Sequence, residues 1–324
     1  MEIVIGAASW YVEDPDAARA FEAEAREVAA GHTVTIVPPG ADLPAAAGEA
    51  EVFFPLSSAM VTPAFVEAAP RLRWIQMASA GVERALFPAL RERDITVTNA
   101  AGVYGIPIAE HALGMMLALA RGLPELTRRQ ERHEWKGVDG DELFERTAVI
   151  VGLGGIGREI ARRCRCFGMR VLATRRHAGN PDPDADRVVP AEELASLLAD
   201  ADWLILCAPA TPDTRHMIGA AELAAMKPTA RLVNIARGSL VDETALVAAL
   251  RDGRIAGAGL DVFEKEPLPA DSPLWDMPNV LVSPHTSGSS PRSLHRVLRL
   301  FLKNLRRYLA GEPLENVVDK DAGY

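Results

Sequence analysis

The sequence predicts an α/β chain of two domains, one a doubly wound parallel sheet and the other a smaller parallel sheet covered by helices. Three observations predict it. The chain has 324 residues, enough for two hydrophobic cores. Short apolar, β-branched runs alternate with helical stretches along most of it, the pattern of parallel strands joined by helices. In residues 147–157, TAVIVGLGGIG, three glycines stand between one such run and an amphipathic stretch.

Glu2–Gly6 reads as the first strand. Asp14 and Pro15 then open a helix, with an acceptor at the N-cap and Pro at the first helical position, and it continues to about Ala30. Thr33–Val37 is a second strand, broken by Pro38, Pro39 and Gly40. Further strands are predicted at 52–55, 72–77 and 95–98, with helices at 63–69 and 84–90. These elements assign residues 1–99 to the smaller domain.

The character changes near Asn99. Residues 100–105 form a loop, and Pro107 suits the first turn of a helix reaching Arg121. A second helix is predicted at 124–135. A new strand series follows at 147–151, 170–174, 187–189, 203–207, 231–235, 257–260 and 280–282, with intervening helices at 158–167, 191–199 and 244–251. Residues 180–186 are a Pro/Asp loop. Seven strands with the glycine motif after the first assign 100–288 to the doubly wound domain. In 289–309, His295, Val297, Leu298, Phe301, Leu302 and Leu305 recur at helical spacing. That helix is expected to return to the first domain, so 289–324 belong with 1–99.

The order strand, G-x-G-x-x-G, helix is a dinucleotide-binding fingerprint. Gly152 allows the tight turn, Gly154 lets the backbone approach a pyrophosphate, and Gly157 lets helix and strand pack closely. The helix N-terminus adds free N–H groups and a positive dipole end. Composition narrows the partners. Apolar residues at 48% and charged residues at 24% fit an ordinary globular chain. A formal charge of −9 leaves no overall basic field, so neither nucleic acid nor an anionic membrane is expected as a partner. The start MEIVIGAASW has no basic region before a long apolar run, and no apolar stretch is long enough to span a bilayer. Three cysteines, Cys164, Cys166 and Cys207, suggest a reducing, cytoplasmic setting without disulfides. Cys164 and Cys166 have no further thiol or His at finger spacing, so no metal is expected.

Three residues follow predicted strands of the second domain at its ligand-binding edge: Arg237, Glu266 and His285. Arg offers a planar, permanently charged fork that fits a carboxylate. His exchanges a proton near neutral pH, and a carboxylate beside it orients the ring and favours its protonated form. The chemistry these residues suit is reduction of a 2-oxo acid, with Arg237 on the carboxylate, His285 as proton donor and Glu266 behind it.

With these motifs in place, the sequence resembles the D-2-hydroxyacid dehydrogenase family, which includes glyoxylate/hydroxypyruvate reductases and phosphoglycerate dehydrogenases. The resemblance runs from about residue 50 to 317. It rests on ASAGVE (78–83), AEHALGMML (109–117), VGLGGIGREIA (151–161), CAPATPDTRHMI (207–218), NIARGSLVDETAL (234–246), GAGLDVFEKEPLP (257–269) and SPHTSG (283–288). It implies a Rossmann-type domain beside a smaller flavodoxin-like α/β substrate domain, D-stereochemistry, and a homodimer built through 107–121. It places catalysis on Arg237, Glu266 and His285, and the substrate carboxylate on the backbone N–H groups of Ser79, Ala80 and Gly81 with Arg237. Cofactor contacts fall on Gly152, Gly154, Gly155, Ile156 and Gly157, then on Ala208, Pro209, Ile235 and Ala236. Asp261, facing the nicotinamide carboxamide, His285 and Gly288 complete that set. One departure bears on the cofactor. Arg175 and Arg176 end the second strand, where NAD-preferring relatives carry an acidic residue, so NADP(H) is expected to be preferred, with NAD(H) usable. A second reading keeps the fold and changes the role: an NAD(H)-sensing, co-repressor-like binding protein, distinguished from an enzyme by its lack of turnover.

Overall fold

The structure is a computed structural model that describes residues 1–83, 85–176 and 181–323. The chain begins with β1 (Glu2–Gly6), α1 (Trp10–Glu13), α2 (Pro15–Val28), β2 (Thr33–Val37) and β3 (Ala50–Pro55). Then come α3 (Pro63–Ala68), β4 (Trp74–Gln76), α4 (Pro88–Glu92) and β5 (Thr96–Thr98). Two helices, α5 (Gly105–Ala120) and α6 (Leu123–Glu131), precede β6 (Thr147–Val151), α7 (Gly155–Cys166), β7 (Arg170–Arg175) and β8 (Arg187–Pro190). The series continues with α8 (Ala195–Leu198), β9 (Trp203–Leu206), α9 (Ala220–Ala225), β10 (Arg231–Asn234) and α10 (Glu243–Arg251). It ends with β11 (Gly257–Leu260), β12 (Val280–Val282) and α11 (Pro291–Leu309).

The chain folds as two compact units, Met1–Tyr104 with Ser290–Tyr324, and Gly105–Ser289. The loop at 100–104 goes with the first unit because Ala100 and Val103 are buried in that unit's core. The first unit holds a parallel sheet of order β2-β1-β3-β4-β5, the flavodoxin-like order. Alternate residues of its strands feed opposite faces. Val4 and Phe53 pack with Phe65, Val66 and Leu90 of α3 and α4. Ile3, Ile5, Val52 and Phe54 pack with Phe21 of α2 and with Val297, Phe301 and Leu305 of α11. The returning helix therefore completes this unit, and Phe301 stacks on Phe54 at a centroid distance of 4.1 Å.

The second unit holds a parallel sheet of order β12-β11-β10-β9-β6-β7-β8. All residues of β6 and of β9 are buried, as expected of central strands covered on both faces. Helix α5 approaches the sheet closely at Gly259, where a Cβ would lie 3.0 Å from the Met115 sulfur. Among the described residues no single helix is long and apolar enough to cross a membrane. Cys164 is fully buried, and burial pushes its thiol up to about 12, while Cys166 is exposed. No group of three His, Cys, Asp or Glu among the described residues is placed to hold a metal ion.

Several boundaries differ from expectation for local reasons. The expected helix at 84–90 becomes α4 at Pro88–Glu92, started by Pro88, and its expected first residue, Arg84, lies outside the described residues. The helix expected to reach Trp135 stops at Glu131. His133 takes a left-handed φ of +56°, the chain turns away, and Trp135 is fully exposed. The single helix expected at 191–199 is a 3₁₀ turn at Ala191–Glu193 followed by the short α8. Helices α1 and α9 hold too few residues to display a helical period.

Candidate functional site

The strand order of the second unit reverses between β6 and β9, and ligands bind beyond the strand ends at such a point. The turn after β6 is shaped by its glycines. Gly152 has φ +98°, and a Cβ there would lie 2.9 Å from the Ala208 amide, on the loop after β9. Gly157 sits so close that a Cβ would lie 2.3 Å from the Gly152 carbonyl oxygen. Around Gly154 and Gly155, by contrast, a Cβ would meet nothing within 4 Å, so the backbone is open there. Gly154 is the N-cap of α7 and carries no capping side chain, and the first amide to turn inward is that of Arg158, to Gly154 O at 2.9 Å. The amides of Gly155, Ile156 and Gly157 precede it as helix-terminal donors. This cradle fits a dinucleotide pyrophosphate.

Arg175 ends β7 and Arg176 follows it. Neither residue is acidic, yet the fold brings a carboxylate to Arg175. Asp182 is buried; its carboxylate lies 3.2 Å from Arg175 Nη1 and 2.6 Å from Arg158 Nη2. Its loop was visible only as a Pro/Asp stretch, whose first residue, Asn180, lies outside the described residues.

Arg237 lies just past β10. Asn234, almost fully buried, holds that turn from within: its Nδ2 donates to the Arg237 carbonyl at 3.0 Å and its Oδ1 accepts the Ala236 amide at 3.1 Å. Ile235 and Ala236, expected beside the cofactor, are buried. Arg237 Nη1 donates to the Ala236 carbonyl at 2.7 Å. Gly238 permits no side chain, because a Cβ would sit 1.9 Å from the Phe263 carbonyl carbon. The Arg237 turn is thus pressed onto the Glu266 loop. Glu266 accepts the Phe263 amide at 3.1 Å through Oε1, and its Oε2 lies 2.8 Å from His285 Nδ1.

His285 adopts the left-handed region at φ +51°, at a cost on the order of 1 kcal/mol for a residue with a side chain. Asp261 holds it there. The Asp261 carbonyl accepts the His285 amide at 2.8 Å. The Asp261 carboxylate, completely buried, accepts the Ser283 hydroxyl and the amides of Thr286 and Ser287, the latter two at 2.9 Å. His111 Nε2 reaches the same Ser283 hydroxyl at 3.0 Å. Sequence reading placed Asp261 at the nicotinamide and did not single out Asn234, Ser283 or His111. Asn234, at the head of the NIARG run, was the one with a visible signal. Gly288 follows this loop, and Pro209, exposed, follows Ala208 after β9. Ser79, Ala80 and Gly81 belong to the first unit, in the loop after β4.

Residues 113–287 match the family described as D-isomer specific 2-hydroxyacid dehydrogenase, NAD binding domain. The chain is 40% identical over 273 residues to glyoxylate/hydroxypyruvate reductase B of Pectobacterium carotovorum subsp. carotovorum, covering 81% of this chain and 84% of that protein. It is 37% identical to D-3-phosphoglycerate dehydrogenase of Methanocaldococcus jannaschii over 84% of this chain. There the match spans only 52% of the relative's length. Among solved structures it is similar to the NADPH-dependent glyoxylate/hydroxypyruvate reductase from Sinorhizobium meliloti, in complex with NADP and sulfate. That likeness has a TM-score of 0.84 and 27% identity, and it covers 100% of both chains.

Proposed function

The chain belongs to the D-isomer specific 2-hydroxyacid dehydrogenase family, and from that premise we propose that it reduces a 2-oxo acid to the D-2-hydroxy acid. It is an NAD(P)-dependent oxidoreductase. The substrates this reading favours are glyoxylate and hydroxypyruvate, which two of these relatives carry in their names. The observation that carries the reading is the Glu266–His285 pair, 2.8 Å apart, with the Glu266 loop pressed against the Arg237 turn at the edge of a dinucleotide-type sheet.

A bound nicotinamide would supply the hydride for the carbonyl carbon. The cradle at Gly152, Gly154, Gly155, Ile156 and Gly157 would hold its pyrophosphate, and Ala208, Pro209, Ile235, Ala236, Asp261 and Gly288 would line the rest of its site. Arg237 takes the substrate carboxylate and draws on the carbonyl oxygen. Within the first unit, the amides of Ser79, Ala80 and Gly81 suit a carboxylate as well. Glu266 accepts at Nδ1 of His285, which keeps the transferable proton on Nε2, and His285 gives that proton to the carbonyl oxygen. Asp261 fixes the loop that presents the ring.

The same proposal includes a homodimer in a cytoplasmic setting, with no nucleic-acid or membrane partner. The dimer is supported by large apolar side chains left exposed on and near α5 and α6: Ile106, Leu123, Trp135 and Phe144. Three free cysteines support the reducing compartment.

NADP(H) is preferred and NAD(H) is usable. Arg175 and Arg176 suit a 2′-phosphate, and Asp182 steadies Arg175 together with Arg158. Initial rates with one good 2-oxo acid and each nicotinamide test this. NADPH should exceed NADH in kcat/KM by at least about tenfold, about 1.4 kcal/mol. Arg175→Asp should shrink or reverse the ratio, mainly through KM for the cofactor. Equal efficiencies in the unmutated protein would remove Arg175 from the 2′-phosphate.

A further inference from the structure

The loop after β4 carries four consecutive backbone carbonyls, and each of them is held. The Ala78 carbonyl accepts the Tyr104 hydroxyl. That of Ser79 accepts the Ala100 amide at 2.9 Å. The Ala80 carbonyl accepts Asn99 Nδ2 at 3.0 Å, and that of Gly81 accepts the Ser79 hydroxyl at 2.7 Å. A trans peptide is planar, and its N–H points opposite to its C=O. Holding the carbonyls of Ala78, Ser79 and Ala80 therefore aims the amides of Ser79, Ala80 and Gly81 the other way. Among the described residues those three amides find no acceptor in the protein. Consecutive amides left without a protein acceptor suit an anion, whereas one flipped peptide would turn an oxygen towards it.

The two side chains that do this are themselves fixed. Asn99 is nearly buried; its Oδ1 accepts the Ala101 amide at 3.0 Å, and its own amide donates to the Asn316 carbonyl at 3.0 Å. Gln76, wholly buried, donates to the Asn99 carbonyl at 3.2 Å. Tyr104 lies where burial pushes its phenol up to about 12, so its hydroxyl remains a donor at neutral pH.

We propose that Asn99 and Tyr104 are positioning residues for recognition of the substrate carboxylate, orienting the Gly81 and Ser79 amides from behind without touching the substrate. This rests on reading the Ser79, Ala80 and Gly81 amides as a carboxylate cradle.

The test uses the enzyme with bound NADP⁺ or NADPH. Tyr104→Phe removes one oxygen atom, and Asn99→Ala removes the other donor. Each should raise KM for glyoxylate at least about fivefold, the worth of roughly one hydrogen bond. In each variant kcat should stay within about twofold, with KM for NADPH unchanged. Reduction of methyl pyruvate, which has the carbonyl without a carboxylate, should keep its kcat/KM, whereas general loosening of the fold would lower it. Oxamate, a carboxylate-bearing isostere of pyruvate, serves as the binding probe. In ¹⁵N spectra of the parent it should shift the Ser79, Ala80 and Gly81 amides, and both variants should bind it at least about fivefold more weakly. If those amides ignore oxamate in the parent, the cradle reading falls, and this inference with it. If they respond, and Tyr104→Phe binds oxamate as tightly as the parent, this inference alone is overturned. Tyr104→Phe serves even if Asn99→Ala does not fold.

Discussion

Replacing His285 with asparagine is expected to lower kcat for 2-oxo acid reduction by about 10²–10⁴-fold while NADPH still binds. General acid–base catalysis is typically worth that factor. Asparagine keeps a polar side chain of similar reach and is tolerated at left-handed φ, which matters because His285 sits at +51°. The loss can therefore be assigned to the missing proton donor and not to a collapsed loop. The Asp261 carboxylate, which fixes Thr286 and Ser287 at 2.9 Å, remains in place. Binding of NADPH, followed by fluorescence, checks that the site survives. Glu266→Gln acts on the same proton by another route. The imidazolium of His285 would lose the negative partner that now lies 2.8 Å from Nδ1. That loss should lower kcat for reduction by at least about tenfold, because a neutral amide holds the charged, oriented ring less well than a carboxylate does. A Glu266→Gln variant with the parent's kcat would break the pairing, and near-normal kcat in His285→Asn would remove the proposed acid.

The second large effect is at Arg237. Arg237→Lys should lower kcat/KM for 2-oxo acids by at least about 100-fold, roughly 3 kcal/mol, with little change in cofactor affinity. Charge is conserved in this substitution, so the loss isolates geometry. Lysine offers a point charge where arginine offers a planar fork able to meet a carboxylate with two parallel hydrogen bonds. The surroundings leave little room for compensation. Asn234 clamps the turn from one side, and Gly238 rests against Phe263 from the other. Steady-state kinetics with pyruvate or glyoxylate, paired with NADPH titration, give the two numbers required. An unchanged kcat/KM would place Arg237 outside the site.

Much of this architecture can be read from the chain because parallel strands covered on both faces appear as short continuous apolar runs. TAVIV and WLIL are wholly buried in β6 and β9, and their sequence says as much. Arg237, Glu266 and His285 were legible for a related reason, since each comes shortly after such a run. Helix ends were less legible. Nothing in the local pattern around Glu131 announces that His133 will turn left-handed and expose Trp135. Several supporting groups were hidden, because their partners come from distant parts of the chain. Asp182 meets Arg158 across most of α7 and all of β7, and His111 reaches Ser283 from another helix. Asn99 reads as a strand-end residue, and only the fold brings its amide to the Ala80 carbonyl. Local pattern reveals what a strand or a helix wants. A hydrogen bond between segments depends on where both of them finish.

The central claim is that this chain reduces 2-oxo acids with a nicotinamide. The most direct measurement is the fall in nicotinamide absorbance when glyoxylate, hydroxypyruvate, pyruvate and phenylpyruvate are offered in turn with NADPH and purified protein. Turnover is expected with at least glyoxylate or hydroxypyruvate, and the product should be the D-isomer where the new centre is chiral. Binding of NADPH without turnover of any of the four would contradict the claim and point to a protein that senses the dinucleotide without using it.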